Sequence, residues 1–383
     1  MPAAKRTKWH SWAAGRLAKG CRLCVQGRKL VLFVTGLCGQ RCFYCPVSEH
    51  KFGKDVVYAN EWQVSAPDNP VELIREAELT GAKGAGITGG DPLVNVDRCV
   101  AYIRLLKERF GRRFHVHLYT PLKLVTWERL KKLHDAGLDE IRFHPNLDDD
   151  SLWKRLDLAK QFDWDIGVEI PVIPGYGQKT KKLIDFIAGR VDFLNLNELE
   201  LSDTAAAHYQ LHVRGFKPKD GLSYGVRGSR ELGLVLADYA ARKGLAVHFC
   251  TARLKDAVQL RNRIKLRARH VALKTDVVTK EGTLIRGCAY LPKLAPGAGY
   301  REMLLKADRK QAVEKLGGLR EKVIAALNAG PGEVFLDDKK LRLLLSAKTV
   351  RKEAGKLKRL GILPAVVEEY PTADALEVEV EFF

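Results

Sequence analysis

From residue 30 onward the chain alternates short apolar, β-branched runs with segments whose apolar positions recur every three or four residues. Leu30-Val-Leu-Phe-Val-Thr35 is apolar almost without a break, which predicts a strand buried on both faces. Asn69 and Pro70 then open a helix, with Asn as N-cap and Pro at the first helical position, and Gly81 stops it. The same reading predicts further strands at 85–88, 114–119, 140–144, 165–171, 191–196 and 245–250. The helices between them lie near 96–109, from Thr126 to Gly137, at 149–161 and at 178–189. A long excursion, 197–228, precedes a last helix from Ser229 to Gly244.

Strands alternating with helices of this length imply a parallel sheet with right-handed crossovers. Six βα units and one extra strand make an α/β partial (β/α)6 barrel of TIM type, short of the full eight. In such barrels chemistry sits at the carboxyl ends of the strands, and polar residues gather there. Gly89-Gly90-Asp91 follows the second strand, Tyr119 and Thr120 the third, and His144 to Asn146 the fourth. Glu169 lies near the end of the fifth, Asn195 and Asn197 at the sixth, and Cys250 ends the seventh. Beyond residue 255 the periodicity changes. A hairpin turned at Lys280 to Gly282, helices over 310–328 and 338–360, and a strand pair from 365 to 383 predict a C-terminal α+β domain. The expected domains are therefore a basic extension at 1–29, the partial barrel at 30–254 and the C-terminal domain at 255–383.

Charge changes this picture. The chain carries +19, yet residues 1–30, 251–274 and 339–360 hold +8, +7 and +8, leaving −4 on the other 307 residues. Three basic patches on a near-neutral body attract polyanions. The plainer reading is a thermophile surface, which two methionines and eight glutamines also fit. No apolar run reaches the length of a membrane span. The basic N-terminus lacks the apolar core of a secretory signal, so a cytoplasmic protein is expected. With no export signal, the eight cysteines read as metal ligands before disulfides.

Three of them, in Cys38-Gly-Gln-Arg-Cys42-Phe-Tyr-Cys45, sit in one loop after the first strand. A [4Fe-4S] cluster normally takes four thiolates, so three leave one iron open for chemistry. Zinc is the alternative, although zinc sites more often use paired C-x2-C knuckles. The C-x3-C-x2-C spacing, with aromatic Tyr44 before the third cysteine, resembles the signature of the radical S-adenosylmethionine (SAM) superfamily over roughly residues 30–250. Within it the chain resembles an archaeal-looking group related to pyruvate formate-lyase (glycyl-radical) activating enzymes. The resemblance implies that SAM chelates the open iron. It also implies that an external one-electron donor drives its cleavage to methionine and a 5′-deoxyadenosyl radical, which takes hydrogen from substrate. It further implies that Gly89, Gly90 and Asp91 contact SAM, with Asp where the family usually has Glu. By position, Tyr119 and Thr120 fall at the ribose and Glu169 at the adenine.

Cys21-Arg-Leu-Cys24 is a further C-x2-C pair. With Cys250 and Cys288 it totals four thiolates, suited to a second iron–sulfur cluster or a zinc ion. The contrary reading makes Cys250 and Cys288 ordinary buried cysteines. Cys99 falls on the apolar face of its helix and belongs to the core.

The substrate is read from charge. Arg261, Arg263, Lys265, Arg267 and Arg269 alternate, so a strand would present one wholly basic face, whereas a helix would spread them. Trp9, His10 and Trp12 set aromatics within the basic N-terminus, as base stacking requires. These features favour RNA as the substrate modified. One alternative is radical modification of a protein, as the activases do. The other is a non-catalytic iron–sulfur RNA-binding protein, against which the open three-cysteine site and the glycine motif argue.

Overall fold

The computed structural model describes residues 3–221 and 223–383. They form two compact units that meet at Arg263, inside a helix and nine residues past the boundary drawn from composition.

In the first unit seven strands lie side by side in sequence order: β1 Lys29–Phe33, β2 Gly84–Thr88, β3 His115–Thr120, β4 Glu140–Phe143, β5 Asp165–Val172, β6 Phe193–Glu198 and β7 Ala246–Cys250. All are parallel. Each βα unit thus adds one strand beside the last, the partial-barrel order that the periodicity predicts. Its helices include α1 Lys19–Val25, α2 Val71–Leu79, α3 Val96–Phe110, α4 Trp127–Asp135, α5 Gly177–Ile187 and α6 Ser229–Arg242. Helix α3 buries Cys99, Tyr102, Ile103 and Leu106, an i, i+3, i+4, i+7 stripe. Burial of each of its larger apolar side chains is worth about 1.5–3 kcal/mol.

Three local expectations shift. Helix α2 begins one residue late, with Pro70 rather than Asn69 at the N-cap and no side chain capping it. The helix expected over 149–161 is a 3-10 helix, Trp153–Gln161. Its buried residues Trp153, Leu156 and Ala159 recur every three positions, the repeat that a 3-10 helix stacks on one face. Residues before 30 are no mere extension. Trp12–Ala14 pairs antiparallel with β7 and with Lys5–Arg6, while Tyr58–Ala59 and Trp62–Gln63 pair beyond β1. Short antiparallel strands therefore cover both edges of the parallel run.

Alternate residues of the strands face inward. That inner face carries His115, His117, Tyr119, Glu140, Arg142, Glu169 and Asn195, and helix α1 packs against it. The Gly20 amide donates to Glu140 Oε2 at 3.2 Å. A Cβ at Gly20 would lie 2.5 Å from Arg142 Nη2 and 2.6 Å from His117 Nδ1, so only glycine lets the helix come this close.

The second unit is an antiparallel sheet in the order Phe335–Asp337, Arg342–Leu345, Leu284–Tyr290, Leu363–Glu369, Glu377–Phe382. Val277–Val278 pairs with Leu284–Ile285 across the expected hairpin. Helix α7, Arg261–Val271, runs across the division, and α8 Arg309–Leu327 and α9 Ala347–Arg359 follow. The helix expected over 338–360 is divided. Arg342 to Leu345 are all buried and form a strand, and Ser346 starts α9 by accepting from the Thr349 amide at 3.0 Å. Among the described residues no helix is long and apolar enough to cross a membrane.

Candidate functional site

The loop after β1 carries Cys38, Cys42 and Cys45, all half-buried and all free thiols. Its backbone is strapped to the end of β2. The Gly90 amide donates to Thr35 O at 2.8 Å and the Asp91 amide to Leu37 O at 2.9 Å. A Cβ on Gly90 would lie 2.4 Å from Leu37 O and 2.9 Å from Cys38 Cβ, so the second glycine exists for this close approach. Burial pushes all three thiols up, Cys45 to about 11, so each sheds a proton when it becomes a metal ligand.

A cavity of about 930 Å³ opens beside this loop, with Cys42 and Tyr44 in its wall and Lys123, Trp153, Tyr176 and Arg214 around it. The excursion covers the loop. The Gln210 amide donates to Phe43 O at 2.8 Å, His208 Nε2 lies 3.2 Å from Cys45 O, and the His208 ring stacks on Phe52 at 3.8 Å. Arg214 lies 4.1 Å above the Phe43 ring. Three soft thiols in one loop, with glycine where the backbone must crowd it and a cavity alongside, are the donor type that a cluster with one open iron takes.

The other residues assigned to SAM divide into two groups. Asp91 and Thr120 are each about 1% exposed. Asp91 Oδ1 accepts from Thr120 Oγ1 at 2.8 Å and from the Leu93 amide at 3.0 Å, capping the turn after the glycines. Its side chain is engaged within the fold. Tyr119 and Glu169 converge on Arg142, a residue that sequence reading passed over. Arg142 Nη1 lies 2.7 Å from Glu169 Oε2 and 3.1 Å from Tyr119 Oη, and Nε lies 2.5 Å from Glu140 Oε1. Asn195 and Asn197 complete the set, each donating to Glu169 at 2.9 Å. Burial works to raise the Glu169 carboxyl, but the Arg142 charge and these hydrogen bonds outweigh it and hold the group below its ordinary value. The signal for Arg142 was in the sequence: Glu140, Arg142 and His144 share one face of a strand.

Deeper in, Lys29 Nζ lies 2.9 Å from His115 Nδ1, and burial lowers Lys29 to about 7. Burial also lowers His115 to about 2 and His248 to about 4, and puts His117 well below its usual value. These histidines are neutral when folded and take up protons on unfolding below about 6.5. A lowered histidine makes the unfolded chain bind more protons than the folded one, so stability falls as pH falls. Three such groups are expected to remove up to about 4 kcal/mol per pH unit near pH 5. Urea melts at pH 7 and 5 test this, and a midpoint independent of pH there refutes it.

The four remaining thiols are divided between the units, with Cys21, Cys24 and Cys250 in the first and Cys288 in the second. Cys21, Cys24 and Cys250 are neighbours. Cys21 Sγ accepts from Asn195 Nδ2 at 3.2 Å, and Cys250 packs with Val25 and Leu254. Cys288 is fully buried in the second unit's own sheet, where Arg342 Nη1 lies 3.5 Å from its sulfur and 3.1 Å from Tyr290 Oη. Arg342 is in turn held by Glu369 at 2.8 Å to both oxygens, so Cys288 serves a buried polar core. As placed, no three Cys, His, Asp or Glu among the described residues lie within reach of one metal ion, the loop thiols included.

Comparison with known proteins agrees with the family that the cysteine spacing resembles. Residues 32–162 match the model of the Radical SAM superfamily. The chain is 36% identical, over 95% of its length and 92% of the other's, to MJ0021 of Methanocaldococcus jannaschii, named provisionally as a glycyl-radical enzyme activating enzyme. It is 27% identical to a GTP 3′,8-cyclase of Staphylococcus saprophyticus over 38% of this chain and 44% of the cyclase. Among solved structures, methylornithine synthase (PylB) aligns over 62% of this chain and 79% of its own, at 14% identity and a TM-score of 0.36.

Proposed function

The chain belongs to the radical SAM superfamily, and on that premise we propose that it takes a hydrogen atom from a protein substrate, using a [4Fe-4S] cluster held by Cys38, Cys42 and Cys45 together with SAM. When bound, the cluster and SAM supply a carbon-centred radical, at the cost of one electron from an external donor. The chain itself supplies a strapped loop, a shielded cavity and fixed dipoles. Gly90 lets the loop backbone seat tightly, the 197–228 excursion closes over it, and Phe43, Trp153 and Tyr176 wall the cavity against water. At about 930 Å³ the cavity is at the upper end of small-molecule sites, which leaves room for a second reactant beside SAM.

The observation that carries the protein-substrate reading is the end-to-end identity to a relative named as an activating enzyme. The test is isotopic. Deuterium from glycine-labelled cell protein is expected in 5′-deoxyadenosine after anaerobic turnover, and none from deuterated RNA of the same cells. Label from RNA alone reverses the assignment.

RNA modification stands as the second reading, favoured by α9, whose Lys348, Arg351, Lys352, Lys356, Lys358 and Arg359 are all exposed. The other patches support it less. Residues 261–269 are helical, Arg267 is 4% exposed, and Arg263 bonds Asn60 Oδ1 at 2.7 Å and pairs with Glu61. Trp12 packs on Phe249 and Trp9 packs beside Val25, so each ring is partly taken up within the fold. A second metal at Cys21, Cys24 and Cys250 remains part of the proposal, without Cys288.

A further inference from the structure

We propose that a cavity at the carboxyl ends of β6 and β7 is a binding site for a diphosphate group, held by Arg6, Arg230 and Arg253. It is separate from the cavity beside the cysteine loop, and among the described residues none lines both. Its volume of about 690 Å³ is that of a small-ligand site. The three arginines come from three places along the chain: the Lys5–Arg6 strand, the first turn of α6, and the turn Ala252–Leu254 that follows β7. Two of the three basic segments, 1–30 and 251–274, thus meet at one cavity.

Like charges gathered without counter-ions repel one another. Among the described residues none of these three guanidiniums makes an ion pair or a side-chain hydrogen bond. The acids of the same cavity do not neutralise them. Glu198 is held by Lys219 at 3.1 Å and by the Ala252 amide at 2.9 Å, and neither Asp220 nor Asp256 pairs with any of the three. Arg6 and Arg230 are held instead by an aromatic ring, their Cζ atoms 6.0 and 5.1 Å from the centre of Trp12. Arg6 lies directly opposite Trp12 in its strand pair. His10, in the turn between those strands, has a φ of 63°, and its carbonyl accepts from Thr251 Oγ1 at 2.7 Å. A residue other than glycine keeps such a backbone only where its surroundings impose it. Here the bond to Thr251 ties the strand of Arg6 to the turn of Arg253, so the donors are placed before a ligand arrives.

A guanidinium offers a planar fork of donors to carboxylate or phosphate. A carboxylate is flat and takes its donors near one plane, whereas a phosphate is tetrahedral and accepts from several sides. Three forks converging from three elements suit two linked phosphates, whose charge also balances that of the arginines.

The test is calorimetric titration of the full chain with pyrophosphate, ADP and citrate at low salt. Pyrophosphate and ADP are expected to bind at one site per chain, and citrate, of similar charge but with flat groups, more weakly. Equal affinities for pyrophosphate and ADP mean that the diphosphate alone is read, and tighter ADP means that a nucleoside is read with it; both support the site. Arg230→Gln and Arg253→Gln are each expected to weaken pyrophosphate about tenfold or more. Both arginines are exposed, so the variants keep their fold. Lys348→Gln with Lys352→Gln, on the exposed face of α9, is expected to leave the affinity unchanged. No binding of pyrophosphate or ADP overturns the proposal, as does tighter binding of citrate. Equal weakening by the α9 variant also overturns it, since the anion then responds only to overall charge.

Discussion

Replacing Cys42 with alanine is expected to reduce the formation of 5′-deoxyadenosine from SAM to the background seen without protein, and so are the same changes at Cys38 and Cys45. The loop offers three thiols and the cavity wall offers no fourth soft donor to take the place of a lost one. Two ligands do not hold a cubane, so iron content and product fall together. Gln40→Ala, in the same loop with every thiol kept, is expected to retain iron. Nucleoside analysis after dithionite reduction, with iron measured on the same samples, checks both points. Undiminished product from Cys42→Ala would remove the cluster from this loop.

The second large effect concerns Arg142. Its guanidinium is 2% exposed and holds two carboxylates, Glu140 at 2.5 Å and Glu169 at 2.7 Å. Arg142→Met leaves both carboxylates without their cation in a dry interior. Breaking a buried pair by removing one partner costs about 3–5 kcal/mol, chiefly through the charge left unpaired. A domain is stable by about 5–15 kcal/mol in all, so the melt of the first unit should shift far down in urea. Adding Glu169→Gln to Arg142→Met removes one orphaned charge and is expected to restore part of the loss. A single variant within about 1 kcal/mol of wild type would mean that water or protons already compensate the pair.

Much of this site was legible in the sequence because its parts are local. The C-x3-C-x2-C spacing lies within eight residues, and a strand before it with a helix after it places the loop without knowledge of any distant residue. The seven strands were legible for the same reason, since apolar runs and glycine stops are short-range signals. What escaped needed long-range information. Asp91 follows two glycines, yet nothing near it in sequence reports that its Oδ1 accepts from Thr120 on the next strand as well as from the Leu93 amide. Cys288 matched Cys21, Cys24 and Cys250 in number alone, and spacing says nothing about a sulfur buried beneath Arg342. The run Arg342 to Leu345 reads as helix when joined to the cationic segment after it. Burial on both faces makes it a strand, and nothing within the run itself reports that burial.

The placement of helix α1 has a consequence for the order in which the molecule is built. Gly20 bonds a residue 120 positions away, Cys21 one 174 away, and Ser11 Oγ lies 3.0 Å from His248 Nε2, 237 positions along. The ribosome releases this segment before the strands it docks on, and its seat is incomplete until β7 has emerged. During synthesis the segment around α1 must therefore wait while the sheet assembles strand by strand, and it closes the inner face last. Contacts of such long sequence separation are slow to form because the loop entropy is spent before any contact is gained. Their docking is the natural candidate for the final and slowest step in refolding of the first unit.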